Sequence, residues 1–294
     1  MIIIPVTTVR VFKKTLALIF FSIIFFKLAP AASGAGGASI SPISAKALRS
    51  GIDNFIVIDA RPQRLWEGGR IPGALSLSWE NYTAPDDRGI PYRIGQPEKM
   101  AQTLGAMGIG ETCDIVVYAD ADKSWGGEGW VCWVLSWLGH RGRIHLLEGG
   151  FDGWQAQGHA TEKGPAKKNP PPASYNFKVH HALFTTLAQI RACKPPCQVV
   201  DTRSFREWIM GRIPGAVHIS WKKFHTGPLR TPLSPADTAV LLKKSGIDPE
   251  KPVIYYCTGG IRSAYAWLVH ELSGFPSASN YEGGTAEWDR AAGK

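Results

Sequence analysis

Cysteine is scarce in this chain, and no group of residues has the spacing of a metal site. Five cysteines occur among 294 residues, so at least one has no partner within the chain. His180 and His181 precede Cys193 and Cys197, but this spacing matches no standard zinc pattern. We therefore expect neither a metal nor a cofactor.

Acidic residues are missing from the first 35 positions, which carry four positive charges. The apolar run "TLALIFFSIIFF" at 15–26 follows a basic segment, is too short to span a bilayer comfortably, and precedes a tract of small residues. Residues 1–33 are therefore predicted to be a signal peptide of a protein that is exported to the periplasm or secreted. A retained membrane anchor is the alternative; after cleavage we expect no membrane contact.

Clusters of basic residues with interleaved aromatics are also missing, which argues against nucleic-acid binding. The net charge of +9 is spread along the chain and falls to about +5 once the four N-terminal charges are removed. With 44% hydrophobic residues and 11 tryptophans, the composition is that of a folded protein rather than a disordered one. We expect a monomer that acts on small anionic molecules.

An internal repeat organises the rest of the sequence. "VIDARPQRLWEGGRIPGALSLSW" at 57–79 recurs as "VVDTRSFREWIMGRIPGAVHISW" at 199–221, and "LEGGFDGW" later recurs as "YEGGTAEW". Two domains of ordinary size are predicted at 38–158 and 176–294. The segment 159–175 between them is rich in lysine and proline, as in an extended linker.

Each copy alternates continuous apolar strands with helical stretches, which indicates an α/β domain with a mainly parallel central sheet flanked by helices. Ligands of such sheets bind beyond the carboxyl ends of the strands. Cys257 directly follows the buried-strand pattern "VIYY" and therefore lies at that edge.

The sequence "CTGGIRSAYAWL" places this cysteine before a glycine-rich turn and a helix. The two glycines allow backbone N–H groups to form an anion-binding nest, and the helix N-terminus adds its positive dipole end. Arg262 closes the loop and is expected to brace its carbonyls or to hold the anion. The predicted anion-binding loop, which would hold the substrate, consists of Thr258, Gly259, Gly260, Ile261, Arg262 and Ser263.

Taken together, the two Asp-x-Arg strand ends, "GRIPGA" in both copies, "CTGGIR" and "YEGGTAEW" resemble the tandem-domain rhodaneses, a family of sulfurtransferases. The resemblance extends from about residue 40 to the C-terminus. It implies that Cys257 takes sulfane sulfur from a donor, carries it as a persulfide and passes it to a thiophilic acceptor such as cyanide or a thiol. Thiosulfate is the expected donor, with 3-mercaptopyruvate as the alternative.

The first copy has Asp120 where the second has Cys257, and its loop is about three residues longer. A carboxylate cannot carry sulfane sulfur, so this copy resembles the catalytically silent half of a tandem rhodanese. Lys123 and Trp125 of its altered loop are expected to face the substrate in a cleft between the domains. Arg203 and Arg206 of the second copy are weaker candidates for substrate contacts.

Two other functions remain open from the sequence. Rhodanese-fold phosphatases and arsenate reductases have five residues between cysteine and arginine, whereas "TGGI" supplies four, which favours sulfur transfer. A non-catalytic persulfide- or partner-binding module is the second alternative.

The motif "CKPPC" allows a disulfide between Cys193 and Cys197, or a dithiol that accepts sulfur or reduces Cys257. An exported persulfide carrier would also need protection from oxidation, for which a thiol reductant protein is a candidate partner.

Overall fold

Each copy of the repeat builds one parallel β-sheet covered by helices. The computed structural model describes Met1, residues 39–165 and residues 170–293. Apart from Met1, the predicted signal peptide lies outside the described residues. Within the described ranges, no helix combines the length and the hydropathy needed to cross a membrane.

The first copy contains a five-stranded sheet. Its strands are β1 (Ile40–Ile43), β2 (Ile56–Asp59), β3 (Leu75–Ser76), β4 (Ile115–Tyr118) and β5 (Ile144–Leu147), and its helices are α1 (Ala45–Ser50), α2 (Gln63–Gly68), α3 (Trp79–Tyr82), α4 (Pro97–Ala106), α5 (Gly127–Trp137) and α6 (Gly150–Ala156). The strands run parallel in the order β1-β5-β4-β2-β3. All four residues of β4 are buried, because helices cover both faces of the sheet.

The second copy contains a four-stranded sheet. The strands of this copy, including two outside the sheet, are β6 (Gln198–Asp201), β7 (Val217–His218), β8 (His225–Thr226), β9 (Thr231–Pro232), β10 (Val253–Tyr256) and β11 (Ala278–Tyr281). Its helices are α7 (Leu187–Ala192), α8 (Phe205–Met210), α9 (Pro235–Lys244), α10 (Ile261–Leu272) and α11 (Gly284–Ala291). The sheet is parallel in the order β11-β10-β6-β7, and β8 pairs with β9 in a separate antiparallel hairpin. The predicted α/β class, with two rhodanese-like parallel sheets flanked by helices, is confirmed.

Local sequence signals explain where the helices of the second copy begin and end. Pro235 opens α9, and the preceding Ser234 accepts a hydrogen bond from the Asp237 N–H at 3.2 Å. Past the end of α9, Gly246 adopts the left-handed conformation (φ 80°) that stops the helix. In contrast, α10 begins without a side-chain cap, so the N–H groups of its first turn are available to a ligand.

The two copies pack together through α5 and α10. Gly129 of α5 makes this contact possible, because a Cβ there would lie 2.4 Å from the Tyr265 Cα in α10. One hydrophobic core therefore runs through both copies, and the described residues from 39 onward form one compact unit.

The segment predicted as an extended linker lies along the first copy. Glu162 pairs with Arg70 through backbone hydrogen bonds of 2.9 and 3.0 Å, and the Ala173 N–H donates to the Gly105 carbonyl at 2.8 Å. The described parts of this segment, 159–165 and 170–175, are thus attached to the first copy by backbone hydrogen bonds.

Candidate active site

Cys257 lies at the carboxyl end of β10, where the chain turns into α10. Its side chain is buried, with 2% of the residue exposed. Gly260 precedes α10 with φ 85°, a left-handed conformation that glycine adopts without strain. This turn aims the first backbone N–H groups of α10 toward the cysteine sulfur, as an anion nest does.

The pKa of the Cys257 thiol is lowered below its ordinary value, although burial by itself raises it. The charge of the Arg262 guanidinium makes the largest opposing contribution. Hydrogen bonds from the backbone N–H groups of Ser263 and Gly259 add to it. The loop therefore favours the thiolate, which is the nucleophilic form.

Glu207 holds the Arg262 guanidinium in a bidentate ion pair. Arg262 Nη1 and Nη2 donate to the two Glu207 carboxylate oxygens at 2.8 Å each, and Nη2 also donates to Thr258 Oγ1 at 2.8 Å. Thr258 in turn donates to Glu207 Oε1 at 3.2 Å. Burial raises the pKa of Glu207, but the hydrogen bonds from Arg262 and from the hydroxyl and N–H of Ser204, together with the Arg262 charge, lower it overall. Bidentate pairing fixes the plane of the guanidinium beside the sulfur.

This arrangement departs from the role expected for Arg262. Among the described residues, its hydrogen-bond acceptors are the Glu207 carboxylate, the Thr258 hydroxyl and the Cys257 sulfur. None of these is a loop carbonyl. Arg262 therefore fixes the loop through side chains, and part of its charge is offset by Glu207.

A cavity of about 400 Å³ opens above the thiol. The second domain supplies its floor from α8 and the cysteine loop, and the first domain supplies three aromatic rings. The lining residues are Trp79, Tyr92, Trp125, Glu207, Cys257, Thr258, Gly259, Ile261 and Arg262. The cavity lies between the domains, where the cleft was expected.

The first domain reaches this site through an irregular segment that contains Tyr92. A Cβ at Gly259 would lie 2.5 Å from Tyr92 Cδ2, so the ring lies directly against the glycine. The next residues anchor the segment: Arg93 Nη1 is 2.6 Å from Glu282 Oε2, and the Ile94 N–H donates to Glu282 Oε1 at 2.7 Å. Glu282, in the "EGG" turn of the second copy, therefore holds the two domains together.

The counterpart site of the first domain is closed. Asp120 lies 3.5 Å from Arg61 Nη1 and 3.7 Å from Lys123 Nζ. Burial raises the pKa of Asp120, and the charge of Arg61 opposes that rise. Leu229 and Arg230 of the second domain line the small cavity of about 20 Å³ that remains. No cysteine or open anion nest is present among these residues.

The structure separates the predicted substrate contacts into two groups. Trp125 lines the cavity, and its ring centre lies 5.4 Å from Arg262 Cζ. Lys123 does not line it, because its ammonium faces Asp120 and Asp152.

The two arginines proposed for the second domain also lie outside the lining. Arg203 is buried and donates to both oxygens of Asp201 and to the Gly211 carbonyl, which is the structural role that its strand-end position favours. Arg206 is exposed on α8. Neither is among the residues that surround the thiol.

Four residues of the predicted loop line the cavity, and the other two, Gly260 and Ser263, shape the loop without lining the cavity. Gly260 provides the turn, and Ser263 donates its hydroxyl to Asn280 Oδ1 at 2.7 Å while its backbone faces the sulfur. The four lining residues are Thr258, Gly259, Ile261 and Arg262.

Sequence reasoning missed Glu207, Tyr92 and the lining role of Trp79. The repeat contained a signal for Glu207. The first copy has lost the cysteine loop, and it has Leu65 where the second copy has Glu207, so the carboxylate occurs only in the copy that keeps the loop. Trp79 gives no such signal, because Trp221 occupies the same position of the second copy and a repeated tryptophan favours packing over ligand binding. Tyr92 lies in a segment that differs in length between the copies, so alignment of the repeat could not indicate it.

Cys193 and Cys197 form a disulfide. They precede β6, whereas Cys257 follows the adjacent parallel strand β10, so the two sites lie at opposite ends of the sheet. Four strand residues separate these ends by about 13 Å. The described contacts give no route for the dithiol relay considered above, and no cluster of metal-ligating side chains occurs in the described ranges.

The chain is similar to known proteins of one family. A model of the rhodanese-like domain matches residues 44–157 and 185–291. The chain is 26% identical over 248 residues to a thiosulfate sulfurtransferase from Pseudomonas aeruginosa, covering 82% of this chain and 90% of the relative. It is 26% identical over 254 residues to the sulfur carrier protein TtuD from Thermus thermophilus, covering 78% and 85%.

Among solved structures, SseA from Escherichia coli, described as a 3-mercaptopyruvate sulfotransferase, superposes with a TM-score of 0.75. The match covers 83% of this chain and 98% of SseA at 21% identity, which supports the fold alone.

Proposed function

Because this chain belongs to the rhodanese-like domain family, with one such domain in each copy of its repeat, we propose that it transfers sulfane sulfur through a persulfide on Cys257. It is a sulfurtransferase whose relatives include a thiosulfate sulfurtransferase. One observation supports the assignment of Cys257 most strongly. Its buried thiol has a lowered pKa and lies in the anion nest beneath a cavity, and the counterpart site has lost these features.

The reaction divides into two displacements at sulfur. In the first, the Cys257 thiolate attacks the outer sulfur of thiosulfate, a bond forms between Sγ and that sulfur, and the electron pair of the broken S–S bond leaves with sulfite. In the second, cyanide or a thiolate attacks the outer sulfur of the persulfide. The electron pair of that S–S bond returns to Cys257 as the thiolate, and the net reaction needs no outside oxidant or reductant.

The residues around Cys257 serve both displacements. The nest of N–H groups and Arg262 stabilise negative charge on the thiolate and on the persulfide. Trp79, Tyr92 and Trp125 reduce access of water to the reactive sulfur. Glu207 acts as a positioning residue because it holds Arg262 rather than the substrate.

We propose thiosulfate as the donor. Arg262 is the cationic side chain in the described lining, and it suits an anionic sulfur compound. The second candidate is 3-mercaptopyruvate, which has a smaller charge. Two observations favour it: both Arg262 Nη atoms are engaged by Glu207, and the lining residues between Cys257 and Arg262 are small or neutral.

The decisive experiment presents each donor to the purified protein with cyanide and measures thiocyanate. Incubation with the preferred donor should also increase the protein mass by about 32 Da, one sulfur atom, and Cys257→Ser should abolish both signals. A phenyl phosphate ester serves as the control substrate. Phosphate release without thiocyanate would support the phosphatase alternative, and no mass gain with any donor would support the non-catalytic module.

We further propose that residues 1–33 are a cleaved signal peptide and that the protein acts as an exported monomer, in the periplasm or outside the cell. The basic segment and the apolar run at 15–26 support this proposal. N-terminal sequencing of the protein recovered from its natural cells, with centrifugation of the same sample, tests it. A full-length chain in the membrane fraction would support the retained anchor instead.

Outside the cytoplasm a persulfide carrier is exposed to oxidants, so we also propose a thiol reductant protein as a partner. The test measures recovery of the Cys257 thiol by mass spectrometry of the oxidised enzyme, before and after a periplasmic dithiol protein is added. Failure of any dithiol protein to restore the Cys257 thiol would exclude it.

A further inference from the structure

The helix that supplies Glu207 to the active site carries an exposed apolar face on its other side. Phe205, Ile209 and Met210 of α8 are 62%, 55% and 78% exposed. Exposed large apolar side chains that cluster on one short helix are typical of interaction surfaces. The repeat supplies a comparison, because α2 holds the same place in the first domain. Its residues at the three positions are polar or small: Gln63, Glu67 and Gly68.

In the first domain, a segment of the chain itself, residues 162–165, which we call the strap, lies against Arg70 and the end of α2, while Gln63, Glu67 and Gly68 stay exposed. Glu162 and Arg70 exchange two backbone hydrogen bonds of 2.9 and 3.0 Å, as neighbouring antiparallel strands do. The Gly164 N–H donates to the Glu67 carbonyl at the end of α2, at 2.8 Å. The strap therefore satisfies backbone groups that the end of the helix leaves open.

Arg70 fixes the strap with its side chain as well. Its Nε donates to Glu162 Oε1 at 2.8 Å, and its Nη atoms donate to the carbonyls of Gly164 at 2.5 Å and Pro165 at 3.2 Å. The guanidinium lies 3.9 Å from the centre of the Trp66 ring, which holds it in this orientation. As a result Arg70 is only 1% exposed.

Arg212 repeats this arrangement without an occupant. It follows α8 as Arg70 follows α2, and its guanidinium lies 4.3 Å from the centre of the Trp208 ring. Arg212 is nevertheless exposed. Across residues 39–165 and 170–293, no hydrogen bond joins its side chain, its N–H or its carbonyl to another residue. The second domain thus has the binding groups of a strap site and leaves them open.

We propose that the exposed face of α8 together with Arg212 binds an extended acidic segment of a second protein, in the way that the first domain binds its own strap. A carboxylate on that segment would pair with Arg212, its backbone would pair with the open groups of residue 212, and apolar side chains would cover α8.

The undescribed parts of this chain lack the required chemistry. Residues 2–38, 166–169 and 294, which lie outside the described ranges, contain no aspartate or glutamate, so none of them supplies a carboxylate side chain. The strap itself is engaged by Arg70. Charge complementarity therefore assigns the site to another polypeptide.

The position of the surface suggests what the partner does. Glu207 lies on the same helix and lines the active-site cavity, so a protein bound to α8 would lie beside the cavity mouth. The partner would then be one that delivers or receives sulfur, an assignment that rests on the function proposed above. Binding itself does not depend on that function.

The test uses a fluorescent peptide based on residues 157–165, in which Ala160→Leu supplies an apolar side chain and Lys163→Glu makes the peptide acidic, and the protein without residues 1–33. Fluorescence anisotropy should show saturable binding with a dissociation constant below about 1 mM. A peptide with Glu162→Lys, and the protein variants Arg212→Glu and Ile209→Glu, should each bind at least about tenfold more weakly. The matched control Lys244→Glu makes the same charge change on α9 and should bind within about twofold of the wild type.

Three results would overturn the proposal. The first is that the peptide shows no saturable binding to the wild type, and the second is that it binds Arg212→Glu equally well. The third is that sedimentation shows a dimer that Arg212→Glu abolishes, because this would assign the face to a second copy of the chain. Arg212→Glu should keep the basal rate of thiocyanate formation. If the wild type binds the peptide but forms no thiocyanate with any donor, the proposed function fails and the docking site stands.

Discussion

The contact between Gly259 and Tyr92 predicts that the first domain, although it has lost its own cysteine, controls the stability and the shape of the active loop. In Gly259→Ala, the new Cβ would lie 2.5, 2.6 and 2.8 Å from Cδ2, Cβ and Cγ of Tyr92. An ordinary contact needs at least 3.4 Å, so the tyrosine must retreat by about 1 Å. Overpacking of this kind costs about 1–3 kcal/mol.

The backbone at Gly259 is outside the left-handed region, so alanine itself causes no strain there. The penalty should therefore depend on Tyr92. For a chain of this size, the expected loss corresponds to a fall in Tm of about 2–10 °C. Turnover should fall as well, because displacement of Tyr92 changes the cavity wall.

The assay is a double-mutant cycle in urea unfolding with Tyr92→Gly as the second change. Glycine suits this position because Tyr92 has φ 66°, a conformation unfavourable for a bulky residue. In the Tyr92→Gly background, Gly259→Ala should cost less than about 0.5 kcal/mol, and the difference between the two costs is the coupling energy. Equal costs in both backgrounds would refute the reasoning, because they would show that the loop does not contact the first domain in solution.

The remaining predictions concern the charges and the disulfide. In wild-type protein, the rate of Cys257 alkylation by iodoacetamide should rise with pH and level off below pH 9, the ordinary thiol pKa, because only the thiolate reacts. Arg262→Gln should move the midpoint of this pH profile to higher pH. An unchanged midpoint would contradict the role assigned to the Arg262 charge. Glu207→Gln should lower the KM for thiosulfate by up to about tenfold at low salt. Removing one negative charge about 6 Å from a dianion changes their interaction energy by about 1.4 kcal/mol in a water-like dielectric. The fall in KM should become smaller as salt is added. A higher KM would show that the carboxylate aids binding instead. Replacing Cys193 and Cys197 with serine should reduce the free energy of unfolding by about 2 kcal/mol in chemical denaturation and leave turnover unchanged, whereas a loss of turnover would revive the sulfur relay.

Much of the site could be predicted from the sequence because its central part is local. Cys257, the glycine turn and Arg262 lie within six consecutive residues, and a strand–loop–helix unit fixes their geometry almost alone. The comparison with Asp120 then distinguished the active copy from the silent one. Of the two first-domain residues expected to face the substrate, Trp125 lines the cavity and Lys123 pairs with Asp120.

What the sequence by itself determined is the duplicated α/β architecture, the position of the thiol at the carboxyl end of a strand and the chemistry of its loop. Each of these depends on hydrophobic periodicity and on residues close together in the chain. Only the tertiary structure decided what surrounds the thiol. Glu207 comes from 55 residues before Arg262, and Tyr92 comes from the other domain, where α5 packs on α10. Such contacts between distant residues depend on how the two sheets and their helices pack, and a single sequence carries no local signal for that packing.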